Sequence, residues 1–227
     1  MKLTLISLMI TYSVYASSAI IDGIKVSVSE VEKFKDFSAV GSTDIVSNLE
    51  KVREQILNFN NRCNQKLKDR RVFLNKSFVC KFHNPSLVES QIIRDLKKTK
   101  YKGSSNIVDE FLVWRNMYNR NSYSYYDLIL VKKVKGGGYE ISYEMLSDIE
   151  VEFYLENYKK KNTAFNKAGG VFKLSPSKKG VSLSLSYESE TDHWLLTSGF
   201  AEKTILEKMA TGTKLAIEAV KKGSEDK

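Results

Sequence analysis

The residues from which chemistry would first be expected are two histidines, two cysteines and a run of three glycines. Neither histidine falls in a metal-binding spacing such as His-Glu-x-x-His, and no Gly-x-Ser-x-Gly nucleophile elbow exists anywhere in the chain. His83 stands beside Asn84-Pro85 and reads as a loop residue. His193 stands beside Trp194 at the start of the last helix, either at the mouth of a cavity or as an ordinary helix-start residue. Gly136-Gly137-Gly138 lacks both a following helix and a Lys-Ser/Thr pair, so it is a hairpin turn and not a phosphate loop. Cys63 and Cys80 leave two readings open. A disulfide can persist in an exported chain; two buried thiols are the alternative, because Cys63 falls on the apolar stripe of a helix. No catalytic residue, metal ligand or cofactor-binding residue emerges from these patterns.

The remaining chemistry is that of an apolar pocket with a few orienting polar groups. Trp114 and Arg115 are neighbours on one strand and so face opposite ways, and alternation alone does not say which points inward. Tyr143, Phe153, Phe172, Leu174, Leu183 and Leu185 are the candidate ligand-binding residues of the strands. Trp194, Phe200 and Met209 are those of the last helix and its approach.

These side chains are positioned by a C-terminal strand, turn, strand and long helix. Val181, Leu183, Leu185 and Tyr187 alternate strictly with Ser182, Ser184, Ser186 and Glu188, the period of a sheet strand with one wet and one dry face. Pro176 and the Ser177-Lys178-Lys179-Gly180 run make the turn before it. The helix carries Leu206, Met209, Thr213, Ile217 and Val220 along one stripe, which must cover something apolar. Ala210, Gly212 and Ala216 edge that stripe, although Gly costs about 1 kcal/mol relative to Ala inside a helix. Small residues there either let a strand approach closely or leave room for a third body between helix and sheet.

Upstream, Ile24, Val26 and Val28 mark a first strand and Phe37 and Ala39 a second. Ile45, Leu49, Val52, Ile56, Phe59, Cys63 and Leu67 then step by three or four as a long helix, with a Ser47–Glu50 capping box as one possible start. Residues 72–82 lean towards a strand, and Asn84-Pro85 opens a short helix running to about Lys98. Strands are expected over 107–118, 123–134, 139–146, 149–158, 163–174 and 181–188. Helices and an antiparallel sheet in one domain make an α+β protein.

The N-terminus has one charge, an apolar run over residues 3–15 and the small residues Ala16-Ser17-Ser18-Ala19, the form of a secretory signal peptide over 1–19. The run is shorter than the roughly 20 residues of a spanning helix. The expected organisation is a leader over 1–19 and a single domain over 20–227, exported to a periplasmic or extracellular location. The formal net charge of +9 is spread over loops. Basic tips at Lys159-Lys160-Lys161 and Lys178-Lys179 are expected to meet an anionic membrane surface transiently, with no amphipathic anchor evident beside them. No nucleic-acid-binding module is present, so nucleic acid is excluded as a partner.

Three stretches, in order, resemble one known family. They are DGIKVSVSEVEKFKDFSAVGSTDIVSNLEKVREQIL from Asp22, NRNSYSYYDLILVKK from Asn119, and AGGVFKLSP with GVSLSLSYE from Ala168. Together they resemble the START (StAR-related lipid-transfer) domains in a compact bacterial secreted form, over about 22–222. The chain departs from the family at Tyr126-Asp127, where the family has Arg-Asp, and at Thr191-Asp192-His193-Trp194 before the last helix. The resemblance implies a helix-grip fold, an antiparallel sheet wrapped around the C-terminal helix with a possible cavity between them. It further implies a monomeric carrier of a lipid, isoprenoid or other hydrophobic small molecule that performs no chemistry. An enzyme on the same fold, cyclase- or hydrolase-like, and a non-binding envelope interaction protein are the alternatives. If the leader is real, N-terminal sequencing of protein recovered outside the cytoplasm should find a chain beginning at Ser17 or Ile20; intact Met1 on cytoplasmic protein would refute it.

Overall fold

The computed structural model describes residues 15–31, 33–59, 62–63, 82–83, 87–119 and 121–225. Nine antiparallel strands form one open sheet. They are β1 (Tyr15–Ile21), β2 (Ile24–Val31), β3 (Phe34–Ile45), β6 (Leu87–Ile93), β7 (Ile107–Asn119), β8 (Asn121–Val134), β9 (Gly138–Met145), β10 (Lys167–Ser177) and β11 (Gly180–Thr191). Their order is β1-β2-β3-β11-β10-β9-β8-β7-β6, so the C-terminal hairpin is inserted between β3 and β9. The short strands β4 (Arg62–Cys63) and β5 (Phe82–His83) pair in parallel apart from it. Helix α1 (Leu49–Leu57) follows β3, α2 (Asp148–Tyr154) follows β9, and α3 (Trp194–Thr197) leads into α4 (Gly199–Glu225).

The period of two in the strands becomes two differently covered faces. Ile24, Val26, Val28, Phe37, Ala39, Val181, Leu183 and Leu185 are buried on the face that meets α4, whose Leu206, Met209, Ala210, Thr213, Ile217 and Val220 point into the same core. The helix packs on β2, β3 and β11 and abuts α1. Burial of each large apolar side chain stabilises by roughly 1.5–3 kcal/mol, which outweighs the about 1 kcal/mol helix cost of Gly212. On the opposite face a second core forms from Leu112, Trp114, Tyr126, Leu128, Leu146, Val151 and Tyr154, covered by α2.

Close approach of helix to sheet depends on a strand glycine. A Cβ on Gly41 would lie 2.5 Å from Ile24 Cδ1 and 2.8 Å from Ile217 Cδ1, whereas one on Gly212 would meet nothing within 4 Å. Gly212 faces solvent, so it neither permits tight packing nor opens a space.

Two elements differ in type from the sequence expectation. Residues 87–93 are not helical but form edge strand β6, paired to 112–117 of β7; the helix-like spacing over this stretch yields to backbone pairing with a long neighbouring strand. Residues 148–154 are helical where a strand was expected. Ser147 caps this helix by accepting from Glu150 N while Glu150 reaches back to Ser147 N, so the capping box lies here. At α1 the cap is Asn48, whose side chain accepts from Lys51 N, and the helix stops at Leu57 rather than reaching Leu67. Cys80 and most of the 72–86 segment lie outside the described residues, as does the Cys63 side chain.

One strand was not foreseen. Asp22 and Gly23 adopt φ values of 52° and 80°, the two left-handed positions of a type I′ hairpin turn. They join β1 to β2 in register from Ile21↔Ile24 to Tyr15↔Glu30. Ala16, Ser17, Ser18 and Ala19, the small residues expected to form a cleavage region, therefore occupy an edge strand: a cut after Ala16 would leave that strand from Ser17 onward, and a cut after Ala19 would leave only Ile20 and Ile21. The basic tips also separate. Lys178 and Lys179 form the β10–β11 turn, while 159–161 precede β10 at its other end. Eleven strand residues, at about 3.3 Å each, put them roughly 36 Å apart.

Replacing Gly212 by Ala should stabilise the protein by up to about 1 kcal/mol, and Gly41→Leu should destabilise it by about 1–3 kcal/mol through overpacking. Thermal melts of the two variants test the assignment, and the reverse order would refute it.

Candidate functional site

Beyond the part of the sheet that α4 covers, the same face carries polar groups. Register places Val113 opposite Asp127 and Arg115 opposite Tyr125, so Phe111, Val113 and Arg115 of β7 share the face with Tyr125, Asp127 and Ile129 of β8. Asp127 is buried at 2% exposure, and its Oδ2 lies 2.5 Å from Arg115 Nε. The Arg115 guanidinium is 5.2 Å from the Phe59 ring centroid and 5.8 Å from that of Tyr143, positions of cation–π attraction. Tyr143 stacks on Tyr187 with centroids 6.4 Å apart and tilts against Phe172 at 5.9 Å. The glycine between them makes this possible. Gly170 pairs with Tyr143 on one side and Tyr187 on the other, and a Cβ there would collide with the Tyr143 hydroxyl.

Burial governs the electrostatics. It disfavours the Arg115 cation, but the Asp127 carboxylate together with the Tyr125 and Tyr143 phenols outweighs that and holds the guanidinium above its ordinary value. Burial pushes the Asp127 carboxyl up, and Arg115 offsets part of the rise. Desolvation likewise raises Tyr125, Tyr143 and Tyr187. The Arg115 side chain nevertheless keeps 16% of its surface open, and Tyr125, Tyr143 and Tyr187 are all only half-buried. A charged pair and three phenols at the end of an apolar surface can orient the polar end of an otherwise apolar molecule. Among the described residues no cluster of His, Cys, Asp and Glu could hold a metal ion. Glu110, the other deeply buried carboxylate, is saturated by the backbone amides of Lys100, Tyr101 and Lys102 at 2.8, 2.6 and 2.5 Å. It anchors a loop.

The structure brings together only some of the candidate residues. Arg115, Tyr143 and Phe172 meet in the polar cluster. Leu174, Leu183, Leu185 and Met209 are buried in the packed core beside it, with Ser189 Oγ 4.0 Å from Met209 Sδ. Trp114 belongs to the opposite face, packed among the α2 core under Lys159, because adjacent strand residues point opposite ways. Phe153 lies on α2, with Tyr154 and Lys98 against its ring, away from the helix–sheet interface. Trp194 and Phe200 line nothing: they are 73% and 96% exposed. His193 stacks on Trp194 at 6.5 Å. The side chain of His83 is not described.

Asp127, Tyr125, Tyr187 and Gly170 were missed. The available signal was a carboxylate in the register Tyr125, Asp127, Ile129, Val131, where every second residue is otherwise apolar or aromatic. Since burial raises the three phenols above their ordinary value of 10, the folded state binds their protons more tightly than the unfolded state. Their contribution to stability is complete below pH 10 and is lost as pH rises beyond it. Absorbance at 295 nm should show these tyrosines ionising together with unfolding, and Tyr143→Phe should move that alkaline transition upward; free titration near pH 10 in the folded protein would contradict the burial.

No protein-family model and no curated protein sequence matches the chain. Solved structures do. A StAR-related lipid-transfer protein from Xanthomonas axonopodis (fragment 25–204) is 16% identical with a TM-score of 0.53, covering 95% of this chain and 99% of that one. The human StarD13 (DLC2) lipid transfer and protein localization domain is 9% identical at 0.51, covering 95% and 91%. Human StAR-related lipid transfer protein 5 is 11% identical at 0.51, covering 94% and 88%. At these identities the likeness is one of architecture, and it spans the sheet, its strand order and the terminal helix: the chain has the helix-grip fold of the START domains.

Proposed function

We propose that this protein is an exported carrier of a hydrophobic small molecule of the lipid or isoprenoid class, held between sheet and α4 without being chemically transformed. The observation that carries the reading is the Arg115–Asp127 pair with Tyr125, Tyr143 and Tyr187. These groups lie on the helix-facing side of the sheet, Arg115, Asp127, Tyr125 and Tyr143 on β7–β9 beyond the strands α4 packs on and Tyr187 at their border on β11, and Arg115 and the three tyrosines retain some open surface. Burying an ion pair costs several kcal/mol of desolvation per charge, so its presence on an apolar face is better explained by a ligand's polar end than by stability. The START fold supports the ligand class, since the similar structures include lipid-transfer proteins by name. Export is supported by the leader pattern at the N-terminus. No helix among the described residues is long and apolar enough to cross a membrane.

The test is native mass spectrometry of the protein purified from cells that make it, followed by extraction and identification of any bound molecule. A co-purifying hydrophobic compound with one polar end is expected. The double variant Arg115→Met with Asp127→Asn leaves no lone buried charge, should stay folded, and should retain at least tenfold less of the compound. The single variant Arg115→Met strands a buried carboxylate and should cost about 3–5 kcal/mol. A clean apo mass for the parent protein would favour a non-binding interaction protein instead.

A further inference from the structure

The tyrosines divide by what their hydroxyls do. Three away from the polar cluster are partnered: Tyr139 donates to Glu50 at 2.6 Å, Tyr158 donates to Glu152 at 2.8 Å, and Tyr126 accepts from Lys159 N at 3.2 Å. Within the cluster, the hydroxyls of Tyr125, Tyr143 and Tyr187 make no hydrogen bond to any described residue. Nor does that of Tyr123, whose ring stacks on Tyr125 with centroids 6.4 Å apart. All four are half-buried. Polar groups so placed are as a rule hydrogen-bonded, so four idle donors on one apolar face call for oxygens from outside the protein. We infer that the cluster selects a molecule whose polar end is neutral, flat and rich in carbonyl oxygens, a quinone or similar conjugated ketone on an apolar tail, over any lipid with a charged headgroup. The inference deepens the carrier reading above and rests on it.

Each kind of charged headgroup meets a contact that is already made. Arg115 is the one cation among the described residues whose charge reaches Tyr125, Tyr143 and Tyr187, and Asp127 neutralises it at 2.5 Å. A phosphate or carboxylate brought here would lie beside the Asp127 carboxylate without a cation of its own, a costly place for a charge. A choline or amine would need the face of an aromatic ring. Arg115 already stands over Phe59 at 5.2 Å and over Tyr143 at 5.8 Å. A neutral alcohol brings a proton as well as an oxygen, and the anionic acceptor for that proton, Asp127, is engaged. A carbonyl brings an acceptor alone and so matches O–H groups that have donated to nothing. Shape points the same way. The rings of Tyr143 and Tyr187 are 21° from parallel, with Phe172 5.9 Å from Tyr143, and a flat conjugated ring extends such a stack.

The test offers the full-chain protein a short-tailed menaquinone, phytol, oleic acid, phosphatidylglycerol and phosphatidylcholine in turn, and counts bound probe by native mass spectrometry. The menaquinone should bind one per chain and at least tenfold more tightly than any of the others. The triple variant Tyr125→Phe, Tyr143→Phe, Tyr187→Phe should bind it more than tenfold more weakly. Its melting temperature at neutral pH should equal the parent's, because the hydroxyls removed hold nothing within the protein. A preference for oleic acid, for either phospholipid or for phytol overturns the inference and leaves the carrier reading standing. So does a charged polar end on the compound extracted from the cells that make the protein. A triple variant that keeps the parent's affinity overturns it as well, as does one that melts lower, since the hydroxyls would then belong to the fold. A parent protein that binds none of the probes and gives a clean apo mass removes the carrier reading and this inference together.

Discussion

A single helix cannot cover nine strands. Strands about 4.8 Å apart make a face roughly 40 Å wide, while a helix with its side chains is about 10–12 Å across. The 27-residue α4 therefore covers only β2, β3 and β11, and it reaches them closely because Gly41 has no side chain. The rest of that face must be covered by something else or be polar enough to tolerate exposure. On β7, β8 and β9 it is polar in one place, around Arg115 and Asp127. The location of the candidate site thus follows from a mismatch of width between sheet and helix, and the insertion of the β10–β11 hairpin next to β3 decides which half the helix takes.

On the half that α4 does not reach, where Phe111, Ile129 and Ile141 are buried with Val52 and Ile56 of α1 and with Phe59, stability and binding are opposed. An ion pair on an apolar face is a poor way to hold a sheet together, since desolvating the two charges consumes much of their attraction. The phenols around it carry the same cost in milder form, seen as the upward displacement of Tyr125, Tyr143 and Tyr187. The opposite face shows the other solution. There Trp114, Tyr126 and Leu128 are sealed by α2, and Glu110 accepts hydrogen bonds from three backbone amides. The same strands carry a closed apolar core on one side and a paired but open polar group on the other.

The two ends of the sheet also differ. At one end the long hairpins β8–β9 and β10–β11 turn on glycines with positive φ, Gly136, Gly137 and Gly180. At the other, α3 joins strand to helix with its large apolar residues outward and is tied down by Lys35–Glu202. The aromatic residues before the last helix are thus surface features of one end, not pocket walls, and the basic tips do not act as one surface.

Local pattern was enough for the sheet and its cover. Alternation in 181–188 and 107–134, the apolar stripe from Leu206 to Val220, and the Gly136 and Ser177 turns depend on neighbours two to four residues away, and each is present as read. Elements failed where long-range pairing overrode local spacing: 87–93 became an edge strand against β7, and β1 exists because the Asp22-Gly23 turn folds it onto β2. The site was legible in part. Arg115, Tyr143 and Phe172 have the right types on the right strands, but a period of two fixes only that neighbours face opposite ways, and not which face is inner. That choice, the pairing of Arg115 with Asp127 on the next strand, and the stacking of Tyr143 on Tyr187 across Gly170 arise from strand register. Register joins residues far apart in the chain, so only the tertiary structure decides it.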